Sequence, residues 1–464
     1  MAPSPTGMLH VGTAHTTLFN YLFARHNGGS FILRIEDTDP ERSEKRFEED
    51  IIDGLRWFGI DWDGEVTRQS ETGSTYKKYL EKMLQNGTAF YCQHSKEELE
   101  EEKKAQIEKK EPPKHVCNAR DKNLEEGIIR FKNNQEEKIV FHDEIRGEIS
   151  FDPKLLGDFS LARSLESALY HFAVVIDDAV MDITHVIRGE DHISNTPKHI
   201  LIQRALNLPQ VTYAHLPLLL GSDRSKLSKR HGATSVAEYR KDGYLPEAML
   251  NFLALLGWNP GTEQEIFSKD ELIKEFSLEK VQKAGAIFDV KKLDWMNGEY
   301  IRTKSTSELV DLATPFLLDV RRPNQLGRRT SKLKNIIELE QPRLKKLSEL
   351  PEKIDYFFAE PKPSTDLLQW KSMTKEEIRK SLEKSKAILE NFDADFTKEN
   401  LEKIFLENTG KDRGELLWPL RVALSGKKAS PGPFDIMAIL GKDESIKRIQ
   451  SSTLLWSGNL HGGF

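Results

Sequence analysis

The first 39 residues most restrict what this chain can fold into. A proline-braced turn, Ala2-Pro3-Ser4-Pro5-Thr6-Gly7, precedes His10-Val11-Gly12-Thr13, which is typical of a helix start, and residues 31–35 have the apolar pattern of a buried strand that ends at Glu36. Turns, helix N-termini and strand ends are the parts of an open α/β sheet at which phosphates and charged ligands bind. A strand is expected before this turn, and the chain starts too late to contain it.

The rest of the chain alternates in a way that predicts a split α/β domain. Helical spacing at 14–26, 41–58 and 75–86 gives way after 87 to a charged helical stretch, 95–110, and to short alternating segments at 128–131, 139–143 and 147–151 that predict strands. The α/β pattern returns at 172–178 and 183–191, with a helix over 195–206 and a buried strand over 215–220. After Lys241 the pattern is nearly all helical. We therefore predict a Rossmann-like α/β domain split by a small α+β insertion and followed by an all-α C-terminal half, with domains over 1–87, 88–168, 169–239, 240–303 and 304–464.

Composition excludes several classes of protein. Of 464 residues, 31% are charged and 38% hydrophobic, and no run of about 18 apolar residues could form a membrane span. The two cysteines cannot form a disulfide framework, so we predict a cytoplasmic protein. The net charge of −6 neither favours nor excludes nucleic-acid binding, because local basic patches matter more than the sum.

Two segments carry candidate phosphate-binding chemistry. His10 can donate a hydrogen bond at a positive helix end, and Gly12 allows close backbone approach, although a lone histidine there is more often a cap. The basic loop 221–230 directly follows the strand 215–220. Its Lys226 and Lys229 could stabilise the charge on a departing pyrophosphate, although such loops are most often only solvated.

In this order and on one sheet, His-Val-Gly-Thr and Lys-Leu-Ser-Lys-Arg resemble the paired signatures of class I aminoacyl-tRNA synthetases. Several further motifs resemble bacterial-type glutamyl-tRNA synthetases, from residue 2 to about 449: the turn Ala2–Gly7, Arg34-Ile35-Glu36-Asp37-Thr38-Asp39, Ile187-Arg188-Gly189-Glu190-Asp191-His192, Trp295-Met296-Asn297-Gly298 and Leu417-Trp418-Pro419-Leu420-Arg421. The resemblance implies ATP-dependent activation of L-glutamate to glutamyl-adenylate and its transfer to the 3′-terminal ribose of tRNA-Glu. Whether tRNA-Gln is also charged is left open.

The resemblance also implies roles for individual residues. The family's catalytic positions match His10, Thr13, Lys226 and Lys229. Its positions for ATP, which binds with Mg²⁺, match His10, Gly12, Asp191, Leu219, Lys226, Leu227, Ser228, Lys229 and Arg230. Its positions for glutamate match Pro3, Ser4, Pro5, Glu36, Tyr170 and Arg188. A planar guanidinium such as that of Arg188 suits a carboxylate better than the neutral amide of glutamine.

The partners follow from the same resemblance. The insertion 88–168 would bind the tRNA acceptor end, residues 240–303 the stem, and residues 304–464 the anticodon. The resemblance also implies a monomer that acts in the cytoplasm and does not bind a membrane.

A separate cluster lies in the insertion. Cys92, His94, His115 and Cys117 form two close pairs, at the place where some family members bind zinc. Four nitrogen and sulfur ligands fit a closed tetrahedral site. The spacing within each pair is short, so buried thiols and surface histidines are the alternative interpretation.

The chain departs from the family pattern in three places. The family has an arginine just before the turn that begins at Ala2, and here Met1 follows that position. We expect that the chain starts at an internal methionine of a longer natural protein. Leu165-Glu166 stands where the family has an Asp-Gly turn, which predicts a wider loop over 163–167. The tail 451–464 matches nothing in the family.

Three alternatives to an active glutamyl enzyme fit the sequence less well. A glutaminyl enzyme of this class typically has a β-barrel C-terminal half, whereas this one is predicted to be helical. A shorter tRNA-modifying paralogue lacks the residues that follow Thr303. A tRNA-binding protein of the same fold that no longer activates glutamate is disfavoured by five matching positions: His10, Glu36, Arg188, Lys226 and Lys229.

Overall fold

The computed structural model describes residues 1–39, 41–122, 124–317 and 330–455, and of Lys229, Thr330 and Ser331 it describes the backbone alone. These residues form two compact units. The first consists of Met1–Arg240 and Pro246–Leu293, and the second of Lys241–Leu245 and the described part of Asp294–Phe464. Most of the tail that matched no family pattern lies outside the described residues. Within the described ranges, no helix is long and apolar enough to cross a membrane.

Short strands provide the framework of the first unit. They are β1 (Arg34–Ile35), β2 (Thr67–Arg68), β3 (Ala89–Cys92), β4 (Ile128–Phe131), β5 (Ile139–Asp143), β6 (Gly147–Phe151), β7 (Ser160–Ser164), β8 (Ser167–Ala168), β9 (His185–Gly189), β10 (Thr212–Leu216), β11 (Leu219–Leu220) and β12 (Ala286–Ile287). Hydrogen bonding groups them as β1-β2, β6-β5-β10-β9, β11-β12 and β3-β4-β7-β8.

Helices lie between these strands, and in the described residues after Ile287 they are the regular secondary structure. They are α1 (Val11–His26), α2 (Lys45–Trp57), α3 (Gly73–Gln85), α4 (Lys96–Glu108), α5 (Tyr170–Val180), α6 (Thr196–Leu206), α7 (Val236–Lys241), α8 (Pro246–Leu255), α9 (Lys269–Glu275), α10 (Val290–Thr303), α11 (Thr306–Leu317), α12 (Thr330–Glu340), α13 (Leu350–Ile354), α14 (Thr365–Leu368), α15 (Lys375–Glu390), α16 (Lys398–Glu407), α17 (Gly414–Ser425), α18 (Pro433–Leu440) and α19 (Lys442–Leu454). The apolar segment 172–178 lies within α5, and the segment 183–191 contains β9.

A parallel sheet brings three strand ends to one edge. Strand β10 pairs with β9 in parallel from Thr212↔His185 to Leu216↔Gly189, and it pairs with β5 in parallel at Tyr213↔Asp143. The carboxyl ends of parallel strands point the same way, and ligands bind beyond them in open α/β sheets. This edge of the sheet is therefore where polar side chains of β5, β9 and β10 collect.

The predicted strand 31–35 is shorter in the structure, and the proline-braced turn lies beside it. Only Arg34–Ile35 is paired as β1, in parallel with β2. On the other side, the Arg34 N–H donates to the Met1 carbonyl at 3.0 Å and the Glu36 N–H donates to the Pro3 carbonyl at 2.9 Å. These backbone bonds hold the turn next to the acidic end of β1.

The segment 88–168, predicted to be the insertion, contributes strands to two sheets. Strands β3, β4, β7 and β8 form one antiparallel sheet, but the hairpin β5–β6 belongs to the sheet in which β5 pairs in parallel with β10. The bounds of the insertion stay a prediction. Alternating residues predict a strand, but they do not say which other strand it pairs with.

The hairpin at 163–167 is also tighter than predicted. Ser164 pairs directly with Ser167, which leaves Leu165 and Glu166 as a two-residue turn, and the register shifts between Ala162 and Ser164. The Ser164 hydroxyl accepts a hydrogen bond from the Glu166 N–H at 3.2 Å. The prediction of a wider loop is wrong because a bulge supplies the local twist that an Asp-Gly turn would otherwise provide.

The second unit is helical throughout its described part, as predicted. Helix α15 packs against α17 and α19, and its Leu382 and Leu389 are fully buried, as is Leu420 of α17. No strand follows Thr303 within the described residues. Two prolines lie between the longer helices of this unit: Pro342 lies in a short 3₁₀ helix, Gln341–Arg343, and Pro351 lies in the first turn of α13.

Candidate active site

A cavity of about 1070 Å³ in the first unit brings most of the predicted site residues together. They come from the turn, α1, the end of β1, α5, the ends of β9 and β11, and the loop that follows. The predicted residues that line it are Pro3, Ser4, His10, Gly12, Thr13, Glu36, Tyr170, Arg188, Asp191, Leu219, Lys226 and Leu227. Segments more than 200 residues apart in the chain thus share one concave surface.

The N-terminus of α1 opens into this cavity. His10 is the N-cap residue, and its Nδ1 accepts a hydrogen bond from the Gly12 N–H at 3.0 Å. A neutral ring therefore carries its proton on Nε2, so Nε2 is a donor. A Cβ at Gly12 would lie 3.1 Å from His10 Nδ1, so a side chain there would press on the cap. His10 thus caps α1 through Nδ1 and can donate a hydrogen bond to a ligand through Nε2–H.

The acidic end of the cavity is built around Arg34. Its guanidinium lies 2.9 Å from Asp178, 3.6 Å from Glu36 and 3.7 Å from Asp177. Burial raises the pKa of Glu36 to about 7, although the Arg34 charge opposes this shift. A carboxylate that is costly to ionise without a partner is suited to bind a cation.

Sequence reasoning missed Arg34, Asp177 and Asp178. The signal was present, because two aspartates end the apolar segment 172–178, and charged residues in such a segment need buried partners. Asp177 is 3% exposed and accepts hydrogen bonds from Gln69 at 2.7 Å and Tyr76 at 2.8 Å. These partners hold Asp177 in place behind Arg34.

Arg188 lies at the carboxyl end of β9 and is held on three sides. Its Nη2 donates to Thr196 Oγ1 at 2.8 Å, its Nε donates to His215 Nε2 at 3.2 Å, and its Nη1 lies 3.3 Å from His199 Nδ1. Nearby, the Tyr170 hydroxyl lies 3.0 Å from His192 Nδ1, and burial raises the pKa of Tyr170 to about 12. Tyr170 therefore stays protonated at neutral pH.

The basic loop after β11 folds as a compact turn. The Leu227 N–H donates to the Leu219 carbonyl and the Gly221 N–H donates to the Ser225 carbonyl, both at 2.9 Å. Lys226 projects toward Asp191, with Nζ 3.0 Å from Oδ2. Side chains of both residues are about half exposed or more, at 65% and 47%, so this ion pair is easily exchanged for a ligand.

Asp223 and His231, which the sequence did not single out, anchor this loop. The ring of His231 lies 3.1 Å from Asp223 Oδ1 and accepts a hydrogen bond at Nδ1 from the Ser228 N–H at 3.1 Å. A Cβ at Gly221 would lie 2.4 Å from this ring, so only glycine fits there. The Ser-Asp pair after a glycine is a turn signal that could have pointed to Asp223.

Several predicted residues do not line the cavity. Pro5 is buried, and its carbonyl accepts a hydrogen bond from the Glu44 N–H at 3.1 Å. The Ser228 N–H donates a hydrogen bond to Nδ1 of His231, and the guanidinium of Arg230 lies 3.3 Å from Asp223 Oδ2. Lys229 lies in a short 3₁₀ helix, Lys229–His231, and its side chain is outside the described part of the molecule.

The Cys/His cluster forms as predicted, beside the insertion sheet. The ligand atoms of Cys92, His94, His115 and Cys117 all lie within 4.8 Å of one another. Individual separations are 3.4 Å from Cys92 Sγ to His94 Nδ1, 3.7 Å from Cys92 Sγ to His115 Nε2, and 3.6 Å from Cys117 Sγ to His94 Nδ1. Tetrahedral zinc with these ligands has its donor atoms roughly 3.3–3.8 Å apart, so the donor set fits that ion.

Comparison with known proteins is consistent with this site. Residues 1–295 match the family model of tRNA synthetases class I (E and Q), catalytic domain, and residues 308–453 match the model of an anticodon binding domain. The chain is 43% identical to glutamate--tRNA ligase 2 of Thermoanaerobacter pseudethanolicus, across 97% of this chain and 96% of that protein. It is 44% identical to glutamate--tRNA ligase of Carboxydothermus hydrogenoformans, across 97% and 98%.

A solved structure shows the same similarity in three dimensions. The crystal structure of a glutamate tRNA ligase from Elizabethkingia meningosepticum, in complex with its amino acid, is 33% identical and has a TM-score of 0.86. It covers 97% of this chain, and the chain covers 98% of it. The cavity, the two family models and these full-length relatives together show that the chain belongs to the glutamate–tRNA ligase family of class I tRNA synthetases.

Proposed function

We propose that this chain joins L-glutamate to the 3′-terminal ribose of tRNA-Glu in two steps at this cavity. In the first step, the α-carboxylate of glutamate attacks the α-phosphorus of ATP, and pyrophosphate leaves. In the second step, a ribose hydroxyl of tRNA attacks the carbonyl of glutamyl-adenylate, and AMP leaves. The observation that carries the proposal is the single cavity that holds Glu36, Arg188, the N-terminus of α1 and Lys226.

Glutamate carries three charges, and the cavity offers a group for each end of the molecule. The carboxylate of Glu36 binds the substrate ammonium, and the turn at Pro3 and Ser4 lies alongside. Arg188 and the Tyr170 hydroxyl bind the side-chain carboxylate. A partly buried guanidinium favours a carboxylate over the neutral amide of glutamine, because a site built for charge loses that interaction with the amide.

The phosphates of ATP lie between α1 and the basic loop. The backbone N–H groups at the positive end of α1 and the Nε2–H of His10 donate to phosphate oxygens. Gly12 has no side chain, so the backbone there can come close to the phosphates. Lys226 leaves Asp191 and stabilises the negative charge that develops on pyrophosphate, a role that the family resemblance also implies for Lys229. Asp191, Leu219 and Leu227 hold the adenosine. Mg²⁺ that arrives with ATP neutralises part of the triphosphate charge.

No side chain has to form a covalent bond with the substrate. Positioning and charge stabilisation account for the catalysis that this cavity provides. For tRNA, residues 88–168 bind the acceptor end, residues 240–303 the stem, and residues 304–464 the anticodon. We propose a monomer that acts in the cytoplasm, and charging assays with tRNA-Glu and tRNA-Gln decide whether both are substrates.

Zinc is the metal that best fits the cluster of Cys92, His94, His115 and Cys117. Two thiolates and two imidazoles make a closed structural site, which leaves no position for a substrate. The site would join the end of β3 to the segment before β4. Its contribution is to stability of the insertion rather than to chemistry.

The experiment that tests the proposal is glutamate- and tRNA-dependent ATP–pyrophosphate exchange. Lys226→Gln removes a cation from the departing pyrophosphate, so we expect the exchange rate to fall by about 100-fold. Arg224→Gln is the matched control, because it removes an exposed cation from the same loop outside the cavity lining, and the rate should stay within about twofold. A wild-type chain that binds tRNA tightly without any exchange would refute the proposal and favour a tRNA-binding protein.

A further inference from the structure

Arg188 contacts His215, and His215 in turn contacts the buried carboxylate of Asp143. The ring of His215 is fully buried, and its Nδ1 lies 2.6 Å from Asp143 Oδ2. Asp143 is equally buried, and its Oδ1 accepts hydrogen bonds from the backbone N–H groups of Ile145 at 3.1 Å and Arg146 at 2.8 Å. A carboxyl oxygen that accepts several N–H bonds is stable in its ionised form.

This arrangement determines which nitrogen of His215 carries the proton. Because ionised Asp143 can only accept, Nδ1 of His215 must be the protonated nitrogen. Nε2 is then an acceptor, and the Nε–H of Arg188 points to it at 3.2 Å. Thr196 Oγ1 also lies 3.2 Å from Nε2, and its hydroxyl can donate to the unprotonated nitrogen. If the proton were on Nε2, two donors would face each other in this partly buried site, and the arginine would have to move.

The three side chains come from three adjacent strands of one sheet. Arg188 on β9 is directly opposite His215 on β10, and Asp143 ends β5 on the other side of β10. The hairpin β5–β6 therefore contributes a side chain to the catalytic sheet, although it lies within the segment predicted to be the insertion. The guanidinium carbon also lies 5.6 Å from the centre of the Tyr213 ring, which limits its movement on that side.

We propose that Asp143 and His215 are positioning residues for substrate selection: together they fix the imidazole tautomer that aims Arg188 at the side-chain carboxylate of glutamate. This inference rests on the proposed role of Arg188. Neither residue touches the substrate in this scheme. Their loss weakens glutamate recognition and leaves ATP recognition intact.

The variant Asp143→Asn tests the pair with almost no change of shape. The new amide oxygen will stay with the backbone N–H groups of Ile145 and Arg146, so its NH₂ group will face Nδ1 of His215. The proton then moves to Nε2, against Arg188. We expect the KM for glutamate to rise on the order of 10- to 100-fold, which corresponds to losing one charge-assisted hydrogen bond, while the KM for ATP stays within about twofold. The neighbouring exposed carboxylate provides the control, Glu144→Gln, which should change neither constant.

Combining Asp143→Asn with Arg188→Lys distinguishes an effect on the position of Arg188 from a general effect on the fold. Arg188→Lys lacks the Nε–H, so adding Asp143→Asn to it should raise the glutamate KM no further. An equal rise in both backgrounds would overturn the positioning role and leave the proposed function standing. If Arg188→Lys by itself leaves the glutamate KM unchanged, the proposed role of Arg188 fails, and this inference fails with it.

The tautomer can also be read without any variant of Asp143. In wild-type protein labelled with ¹⁵N-histidine, the signals of His215 are identified by their absence in His215→Gln. We expect Nδ1 to be protonated and Nε2 to have the chemical shift of an acceptor nitrogen. A protonated Nε2 in the wild type would refute the inference, whatever the kinetics show.

Discussion

At the scale of single residues, Glu36 shows how burial prepares a group for its ligand. Its side chain is 11% exposed and lies beside Arg34, yet burial outweighs that cation and raises the pKa of the carboxyl to about 7. The nearby histidines behave in the opposite sense, since burial lowers the pKa of His171 to about 4 and also lowers the pKa of His192. Those two rings therefore stay neutral in the pH range in which Glu36 gains or loses its proton.

This difference predicts how glutamate binding depends on pH. Only ionised Glu36 attracts the substrate ammonium, and a raised pKa means that this form is lost as the pH falls through about 7. We expect the KM for glutamate to be about tenfold higher at pH 6 than at pH 8, because roughly a tenth of the carboxyl is ionised at the lower pH. The measurement is the glutamate KM between pH 5.5 and 8.5, with the ATP KM as the internal reference.

The control for this prediction is Glu36→Gln, which has no charge to titrate. Its glutamate KM should be high at every pH and nearly flat across this range. A wild-type profile that is flat between pH 6 and 8 would contradict the assignment of Glu36 to the ammonium.

At the scale of elements, helix α4 is tied to the Cys/His cluster by one side chain. Glu102 Oε2 lies 2.6 Å from Nδ1 of His115, whose Nε2 faces the cluster. A ligating histidine commonly donates its other N–H to a carboxylate, which fixes the ring and increases its basicity. The highly charged helix thus has a specific structural function at this one position.

We expect Glu102→Gln to weaken zinc binding by about 10- to 100-fold, because the amide holds His115 less firmly than a carboxylate does. Competition with a chromophoric chelator measures the zinc affinity directly and does not depend on enzyme activity. Glu101→Gln is the matched control, since Glu101 is exposed on the same helix and has no role in the cluster. Equal zinc affinity of the wild type and Glu102→Gln would contradict the role assigned to this carboxylate.

At the scale of the whole molecule, the described residues divide into two compact units with separate cores. The cavity belongs to the first unit, and the helical core around Leu382 belongs to the second. ATP binding and the stability of the helical unit should therefore respond to different substitutions.

Leu382→Ala tests this separation. The side chain is fully buried in α15, so its truncation should cost about 2–5 kcal/mol in the free energy of unfolding of the second unit. We expect faster hydrogen exchange in α15, α17 and α19, measured by mass spectrometry, and an unchanged ATP affinity, measured by titration calorimetry. Lys380→Ala, at an exposed position of the same helix, should leave both unchanged. A parallel loss of ATP affinity in Leu382→Ala would show that the units are not energetically separate.

Local sequence pattern was enough to predict many of the strands and helices. Alternation predicted β4, β5 and β6 at the bounds that the structure gives, because the side-chain period of a strand is a property of neighbouring residues. The family resemblance grouped His10, Glu36 and Lys226 in one site, and in the structure all three line one cavity, while their roles stay predictions.

The amino-acid sequence was therefore sufficient to predict the family, many of the strands and helices, and the polar groups available at the strand ends. Tertiary structure alone decided which strands pair, how the 163–167 hairpin closes, and which groups stand behind Arg188. Asp143 and His215 are 72 residues apart, and nothing local marks either one as the partner of the other. Burial makes that pairing necessary, because a carboxylate and an imidazole removed from water must satisfy each other, and only the folded sheet places them within reach.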